Sequence, residues 1–245
     1  MLKNLRSSQN FTFLLVLILV ANLIIFSVCL SIILQHNSRN QIASKATTLM
    51  ETIDSIREYT IAHIQPELAD ELEANFLPET IPNFAARETF DILRQKPNYG
   101  DFFFKDATIN PFNPRDRADD FETEIIEDFR KRERVRELSG FRPTPNGDLF
   151  YLARAIEVSQ PSCLECHGEP SAASSSLVER YGSSDGFGWK LNEIVGIKIV
   201  FIPVDYFVKQ TRRLFFTIAG VAFLIFLPLS IWLLLQNKPK NKKIR

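Results

Sequence analysis

Two cysteines and one histidine lie within five consecutive positions of the sequence, at Cys163, Cys166 and His167. This Cys-x-x-Cys-His spacing is the pattern by which haem c is attached to a polypeptide. The two thiols form thioether bonds with the haem vinyl groups, and the imidazole of the next residue binds the iron. We therefore predict one covalent haem c, anchored by Cys163 and Cys166, with His167 as the proximal iron ligand.

Other uses of the same three residues stay open. A structural zinc site normally has four protein ligands, whereas the motif supplies three and has no second Cys or His pair beside it. A redox-active thiol pair normally opens a helix after a strand in a βαβ unit, and it leaves the histidine unexplained. A disulfide across so short a loop removes little chain entropy. Haem c is the interpretation that uses all three residues.

Further candidates for the haem site lie elsewhere in the chain. Met50 and His63 are candidates for the distal iron ligand, although such residues at helical spacing are more often part of a core, and five-coordinate iron is an open alternative. Arginine pairs with carboxylates in a forked geometry, so some polar residues could contact the haem propionates. The candidates for that contact are Arg57, Tyr59 and Arg115.

Two uncharged apolar runs flank the segment that contains these residues. They cover residues 11–34 and 214–235, and a helix of 24 residues rises about 36 Å, enough to cross a bilayer. A cleaved signal peptide is the alternative for the first run, but that run exceeds the roughly 7–15 apolar residues typical of such peptides. Pro228 in the second run is compatible with a membrane helix. We predict two transmembrane helices.

Cations flank the two runs on the sides away from the cysteines. Lys3 and Arg6 lie in the N-terminal residues 1–10, and five Lys or Arg residues lie in the basic tail 236–245. Because such flanks stay in the cytoplasm, we expect both termini there. Removing these seven cations leaves 22 Lys and Arg against 29 Asp and Glu, so residues 35–213 form an acidic segment. Its acidity disfavours nucleic acid as a partner.

The predicted location is therefore the cell inner membrane, or the thylakoid membrane of a photosynthetic cell. The chain would pass it twice and carry its large domain, with a core at about residues 40–204, on the periplasmic or lumenal side. Haem is attached to such motifs outside the cytoplasm, so the flanking charges and the cysteine motif agree.

The first apolar run continues into an amphipathic pattern that has no Gly or Pro before Pro66. Apolar residues recur there at spacings of four and three, which predicts one long helix. Packing of this helix on its own domain is the first interpretation. A homodimer through residues 42–63 is a second interpretation. A third is that the helix transmits a movement of the domain across the membrane. The residues of this seam are Ile42, Ala46, Leu49, Ile53, Ile56, Thr60 and His63.

The remaining patterns predict an α+β domain, with a small antiparallel sheet and helices on one side. Asn146 and Gly147 predict a two-residue hairpin turn with positive φ at both positions, followed by a strand with Phe150, Leu152 and Arg154 on one face. The predicted helices cover residues 66–80, 83–95, 118–134 and 171–181, and the strands 101–109 and 193–204, with the hairpin at 135–158 and a final helix from about Asp205.

Several stretches in this order resemble one family, the extracytoplasmic c-type haem-binding, PAS-like sensor domains once known only as a domain of unknown function. The resemblance covers about residues 40–204, and it implies a PAS-like sheet that cradles one haem and senses redox state or a diatomic gas. The stretches are REYT (57–60), FLPETIPNFAARETF (76–90), NPFNPRDRADDFE (110–122), LSGFRPTPNGDLFYLAR (138–154), CLECHG (163–168) and YGSSDGFGWKLNEIVG (181–196).

Longer members of that family continue into a HAMP linker with a histidine kinase or a cyclase, whereas only QNKPKNKKIR follows the second apolar run here. We therefore expect a sensor module without its own output domain, which passes its signal to a protein partner. A membrane-bound monohaem electron carrier with an electron-transfer partner is the alternative. Phosphotransfer and nucleotide hydrolysis are not predicted, since no Gly-rich phosphate loop occurs. An enzyme is not predicted, since a haem enzyme would have no evident distal acid-base pair beyond His63, although a haem-based oxidoreductase stays open.

Overall fold

The computed structural model describes residues 2–68, 71, 77–132 and 134–236. The chain forms two compact units, one of Ile42–Val204 and one of Met1–Gln41 with Asp205–Arg245. The helices are α1 (Leu2–Tyr59), α2 (Gln65–Glu67), α3 (Pro82–Arg94), α4 (Asp120–Lys131), α5 (Cys163–His167), α6 (Ser175–Tyr181) and α7 (Val204–Gln236). A π-helical segment (Thr60–Ile64) separates α1 from α2, and 3-10 turns cover Pro78–Thr80 and Pro114–Asp116. The strands are β1 (Phe103–Thr108), β2 (Glu137–Arg142), β3 (Leu149–Glu157) and β4 (Ile194–Pro203).

The four strands form one antiparallel sheet in the order β1-β4-β3-β2, which confirms the α+β class. Gly196, near the start of β4, pairs with Thr108 at the end of β1 and with Ile156 near the end of β3. The ends of β1 and β3 and the start of β4 therefore share one edge of the sheet. The loops at that edge carry the cysteine motif and the residues that surround it.

Helices cover both faces of the sheet, so the expectation of helices on one side is wrong. On one face, α4 packs with Ile126 and Phe129 against Ile197 and Ile199 of β4, and all four are fully buried. On the other face, Asp54 of α1 accepts hydrogen bonds from β3 and β4. Residues 194–203 are apolar on both sides of the strand, and such a strand needs cover on both faces.

The predicted long helix is present, and its apolar face is buried within the chain. Ile42, Ala46, Met50 and Ile53 are each at most 2% exposed. Met50 takes the place expected for Leu49, because the buried positions follow the 3.6-residue period of a straight helix rather than a 3.5-residue heptad. Packing on its own domain is thus the interpretation that the structure bears out for this face. A homodimer through residues 42–63 stays a prediction.

The hairpin at 135–158 is present, but its turn differs from the prediction. Gly147 N–H donates to the Thr144 carbonyl at 3.1 Å, which makes Pro145 and Asn146 the central residues of a four-residue turn. Gly147 has φ of 115°, whereas Asn146 does not have a positive φ. Pro at the second position and Gly at the fourth are typical of a type I turn, so the proline overrode the Asn-Gly preference.

Both long helices carry apolar segments that are exposed in the structure. The segments Phe13–Glu67 and Phe207–Leu235 each contain a stretch long and apolar enough to cross a membrane, and none of either stretch is buried. Length and composition are therefore compatible with a two-pass membrane protein. The basic tail at 237–245 lies outside the described residues, as do residues 69–70 and 72–76 of the helix predicted at 66–80.

Helix α4 begins at a capping box. The Asp119 carboxylate accepts the Glu122 N–H at 2.8 Å, and the Glu122 carboxylate accepts the Asp119 N–H at 2.9 Å. Partial burial raises the pKa of Asp119, but the Glu122 N–H and the Arg142 guanidinium outweigh it, so the pKa lies below its ordinary value. The stabilisation from this carboxylate is present above its unfolded-state pKa and is lost as pH falls through the lower folded-state value.

Asp119→Ala is expected to lower the free energy of unfolding by about 1 kcal/mol at pH 7, because it removes the cap of α4. Chemical denaturation of the full chain in detergent, followed by circular dichroism, measures this loss. The difference from wild type should shrink below about pH 4, where the carboxylate becomes protonated. Asp120→Ala, one residue further on, is the control, and an equal loss in both variants would contradict the cap.

Candidate functional site

The cysteine motif is held against the loop that precedes β4. Beyond the end of β3, Val158 N–H donates to the Glu193 carbonyl at 2.9 Å, which extends the pairing of the two strands. Trp189 N–H then donates to the His167 carbonyl at 3.0 Å, and Gly188 N–H donates to the Gly168 carbonyl at 2.9 Å. These backbone bonds fix the C-terminal end of α5 on residues 186–189.

The three motif residues share one short helix, α5, which the sequence did not predict. Cys166 and His167 lie three and four residues after Cys163, so all three side chains project from the same face of the helix. Both cysteines are free thiols, and Cys166 is exposed. Although Cys166 is exposed as a residue, desolvation of its thiol by neighbouring atoms, together with Glu165 and Cys163, raises its pKa, whereas redox-active thiols have lowered pKa values. The site therefore favours a neutral thiol at Cys166 over a reactive one.

The His167 ring is fixed in one tautomer. Its Nδ1 lies 2.8 Å from the Gly186 carbonyl oxygen, and because a carbonyl only accepts, Nδ1 carries the proton. Nε2 therefore keeps its lone pair. Burial lowers the pKa of His167, against the opposing effect of the Gly186 hydrogen bond, so the imidazole is neutral at physiological pH. A neutral imidazole whose Nδ1–H binds a backbone carbonyl is the usual form of a histidine that ligates a metal.

Two aromatic side chains hold the orientation of this imidazole. The Trp189 ring stacks on it with centroids 3.8 Å apart and an angle of 3° between the planes. The Phe112 ring, from the loop after β1, stacks on it at 4.7 Å. Phe112 also contacts Phe187 edge-on at 4.9 Å. Aromatic pairs of this kind contribute about 0.5–1.5 kcal/mol each beyond the burial of area.

Gly186 is required at its position for two reasons. Its φ of 82° lies in the left-handed region, and a Cβ built there would lie 2.2 Å from the Phe112 ring. Gly188 has a similar φ of 79°, but a Cβ there would meet nothing within 4 Å. The backbone at 186 thus passes directly over Phe112, which brings the Gly186 carbonyl to His167.

The structure brings Cys163, Cys166 and His167 together on α5, whereas the other candidates lie on α1, in the π-helical segment after it and in the turn Pro114–Asp116. Arg57 is mostly buried, binds Asp106 of β1, and lies 3.7 Å from Asp54. Arg115 is 43% exposed and lies 3.5 Å from Asp116. The roles of Arg57 and Arg115 at the propionates stay predictions.

The candidates on the long helix have different environments. Met50 is fully buried, whereas His63 and Tyr59 are exposed and contact each other with ring centroids 5.1 Å apart. His63 leaves the buried face because the π-helical segment, with its wider turn, shifts the residues after Thr60 around the helix. Among the described residues, no hydrogen bond, ion pair or ring contact joins these three to the cysteine motif, and their roles stay predictions.

The donor set fits haem better than a bare metal ion. In the part of the chain that the structure describes, no group of three or more His, Cys, Asp or Glu side chains is arranged to hold a metal ion. The motif instead offers one prepared imidazole nitrogen and two thiols on the same helix face, which is what attachment of haem c requires. The residues missed by sequence analysis are Phe112, Gly186 and Trp189, which orient that imidazole.

The sequence and the fold are similar to those of known proteins. The sequence model of the Tll0287-like family matches residues 35–203. Among solved structures, the chain is similar to the crystal structure of the cyanobacterial heme-protein Tll0287, with 19% identity and a TM-score of 0.46. That match covers 66% of this chain and 95% of the other. No match was found among curated proteins.

Proposed function

The chain belongs to the Tll0287-like family, and from this premise we propose that it is a membrane-anchored c-type haem protein. One haem would be bound covalently through Cys163 and Cys166, with His167 as the iron ligand. The observation that carries this proposal is the bond from His167 Nδ1 to the Gly186 carbonyl at 2.8 Å, which prepares Nε2 as a ligand. When bound, haem supplies a one-electron couple and, where a coordination position is open, a site for a diatomic ligand.

We propose that both apolar helices span the membrane. Many of their apolar side chains are exposed, and such an apolar surface is unfavourable in water but not in lipid. The cations outside the two runs orient both termini toward the cytoplasm, which leaves the haem domain on the periplasmic or lumenal side. The membrane would be the inner membrane, or the thylakoid membrane of a photosynthetic cell.

For the role of the haem, we propose sensing of redox state or of a diatomic gas. Helix α1 is bound to the sheet by ion pairs, since Arg154 lies 2.6 Å from Glu51 and Lys198 lies 2.5 Å from Asp54. The same helix continues without a break back to Leu2. A change in the sheet would therefore act on the helix that leads toward the membrane, and the output would pass to a protein partner.

Electron transfer is the second candidate, and one observation favours it. Cys166 is exposed, so a haem tethered there would have an edge close to the solvent, where a redox partner could reach it. A carrier of this kind keeps its iron six-coordinate, whereas a gas sensor offers a coordination position. The two roles therefore differ in a property that can be measured.

The test is a reduced-minus-oxidised absorption spectrum of the purified full chain in detergent, recorded with and without CO. We expect a haem c spectrum that shifts when CO is added to the reduced protein, as a gas sensor requires. A haem c spectrum that CO leaves unchanged would contradict gas sensing and leave redox sensing, and rapid electron exchange in that case would favour the carrier. A spectrum without haem bands would contradict both roles.

A further inference from the structure

Three residues with a buried, unpaired polar atom are connected to the C-terminal end of β1. Thr108 is the last residue of the strand, Arg57 binds Asp106, and Arg87 lies beside Asp116, whose neighbour Arg117 pairs with Thr108. Within the described residues, the buried side-chain atoms that lack a hydrogen-bond partner are Arg57 Nε, Arg87 Nε and Thr108 Oγ1. A buried polar atom without a partner has lost its hydrogen bonds to water and gained none, so such atoms are uncommon in a folded protein. Their occurrence together indicates a group that the site is built to receive.

Two of these atoms lie on one face of the sheet. Arg57, from α1, binds the carboxylate of Asp106. Asp106 lies two residues before Thr108 in β1, so the side chains of Asp106 and Thr108 are on the same side of the strand. Thr108 is 6% exposed, so its hydroxyl has no access to bulk water.

The third atom belongs to Arg87 of α3, whose side chain is 16% exposed. Its guanidinium lies 3.8 Å from the Asp116 carboxylate and 3.5 Å from that of Glu88, distances longer than a charge-assisted hydrogen bond. By contrast, Arg142 binds Asp119 at 2.8 Å. Arg87 is thus a mostly buried cation that lacks a close carboxylate, an arrangement that is unfavourable unless an anion completes it.

The loop after β1 connects this cluster with the imidazole. It carries Asp116, which lies beside Arg87, and Phe112, which stacks on His167. The four residues from Phe112 to Asp116 span at most about 14 Å, which limits how far the Arg87 end of the cluster can lie from the His167 ring. Ala118 N–H donates to the Thr108 carbonyl at 2.9 Å, which returns the loop to the end of β1.

We propose that Arg87 and Thr108, together with Arg57, hold the propionate edge of the haem. The inference rests on the proposed function and adds two residues to it. Haem presents two carboxylates, and the cluster presents two guanidinium groups and one hydroxyl with free donors. Burial, together with nearby Asp106, raises the pKa of Asp116 against the opposing Arg115, which lessens its repulsion of an incoming carboxylate.

The charged groups around the cluster come from four elements. They are Asp54 and Arg57 on α1, Arg87, Glu88 and Asp91 on α3, Lys105 and Asp106 on β1, and Arg115 and Asp116 on the loop. Arg94, two turns after Arg87 on α3, lies outside the buried set, since its side chain is 38% exposed. It is the matched control for removal of one arginine from the same helix.

The experiment measures the midpoint reduction potential of the full haem-loaded chain against pH, for wild type, Arg87→Gln, Arg94→Gln and Thr108→Val. Loss of a cation beside the haem stabilises the more positive ferric state, so Arg87→Gln should lower the potential. It should also move the pH-dependent part of the curve to higher pH, because a propionate without its cation has a higher pKa. Thr108→Val removes no charge, so it should shift the pH-dependent part of the curve less than Arg87→Gln does and should not lower the potential itself. Arg94→Gln should match wild type, since solvent screens its charge.

An Arg87→Gln curve that coincides with that of Arg94→Gln would overturn the proposal while the haem itself is present. Circular dichroism checks the fold of each variant. If Arg87→Gln does not fold, Thr108→Val carries the test because it keeps the shape of the side chain, and an unchanged pH profile then refutes the assignment. Wild-type protein without haem would refute the proposed function itself, which is a distinguishable result.

Discussion

His167→Ala is expected to reduce the haem content per chain at least tenfold and to remove the wild-type ferrous spectrum. The imidazole is the single nitrogen ligand in the motif, and its orientation is fixed by the Gly186 carbonyl and the Trp189 ring. Changes that only disturb the partners of a ligand histidine already cost about 10–100-fold in metal affinity, so loss of the ligand should cost no less. Haem content is measured as the pyridine haemochrome per polypeptide.

His36→Ala is the control for this variant, because His36 is exposed on α1 and hydrogen-bonds only its helix neighbour Asn40 among the described residues. It should keep the wild-type haem content and spectrum. Equal spectra and haem content in the His167 variant and in wild type would remove this residue as the iron ligand.

Gly186→Ala is expected to lower the free energy of unfolding by about 2–5 kcal/mol. A left-handed φ costs an L-residue about 1–2 kcal/mol. Overpacking of the added methyl against Phe112 adds about 1–3 kcal/mol. Because this carbonyl accepts the His167 Nδ1–H, the ferrous spectrum should change as well. Denaturation of the full chain in detergent, followed by circular dichroism, measures the stability.

Gly188→Ala separates the two contributions. Gly188 has nearly the same φ as Gly186, but open space lies where its Cβ would be, so only the strain of about 1–2 kcal/mol is expected. Its ferrous spectrum should match that of wild type. Equal destabilisation of the two variants would show that contact with Phe112 does not matter.

The sequence predicted the parts of the fold that local chemistry dictates. Apart from α5, which was not predicted, and the helix predicted at 66–80, much of which lies outside the described residues, the helices and strands lie close to their predicted positions. Phe150 and Leu152 share a sheet face with Arg154 as expected, and Arg154 binds Asp54 of α1. The errors had one non-local cause, the cover on β4, and two local causes, the helical period and the proline of the turn. Both faces of β4 are covered, Met50 rather than Leu49 is buried, and Pro145 changed the type of the hairpin turn.

The candidate site was predictable only in its motif. The spacing of Cys163, Cys166 and His167 predicts haem c attachment, but it does not show which residues orient the imidazole. Phe112 and Trp189 lie more than twenty residues from His167 in sequence, and only the pairing of strands at one sheet edge brings them to it. The glycines of the stretch 182–188 were the available indication, since glycine is the residue that readily adopts positive φ and allows a close approach, as Gly186 does to the Phe112 ring.

Intact-protein mass spectrometry under denaturing conditions tests the central claim most directly. The full chain would be produced in a host that matures c-type cytochromes, alongside the Cys163→Ala and Cys166→Ala double variant. We predict wild-type protein heavier than its polypeptide by one haem, and a double variant at the polypeptide mass. Wild-type protein at the mass of the bare polypeptide would contradict the account.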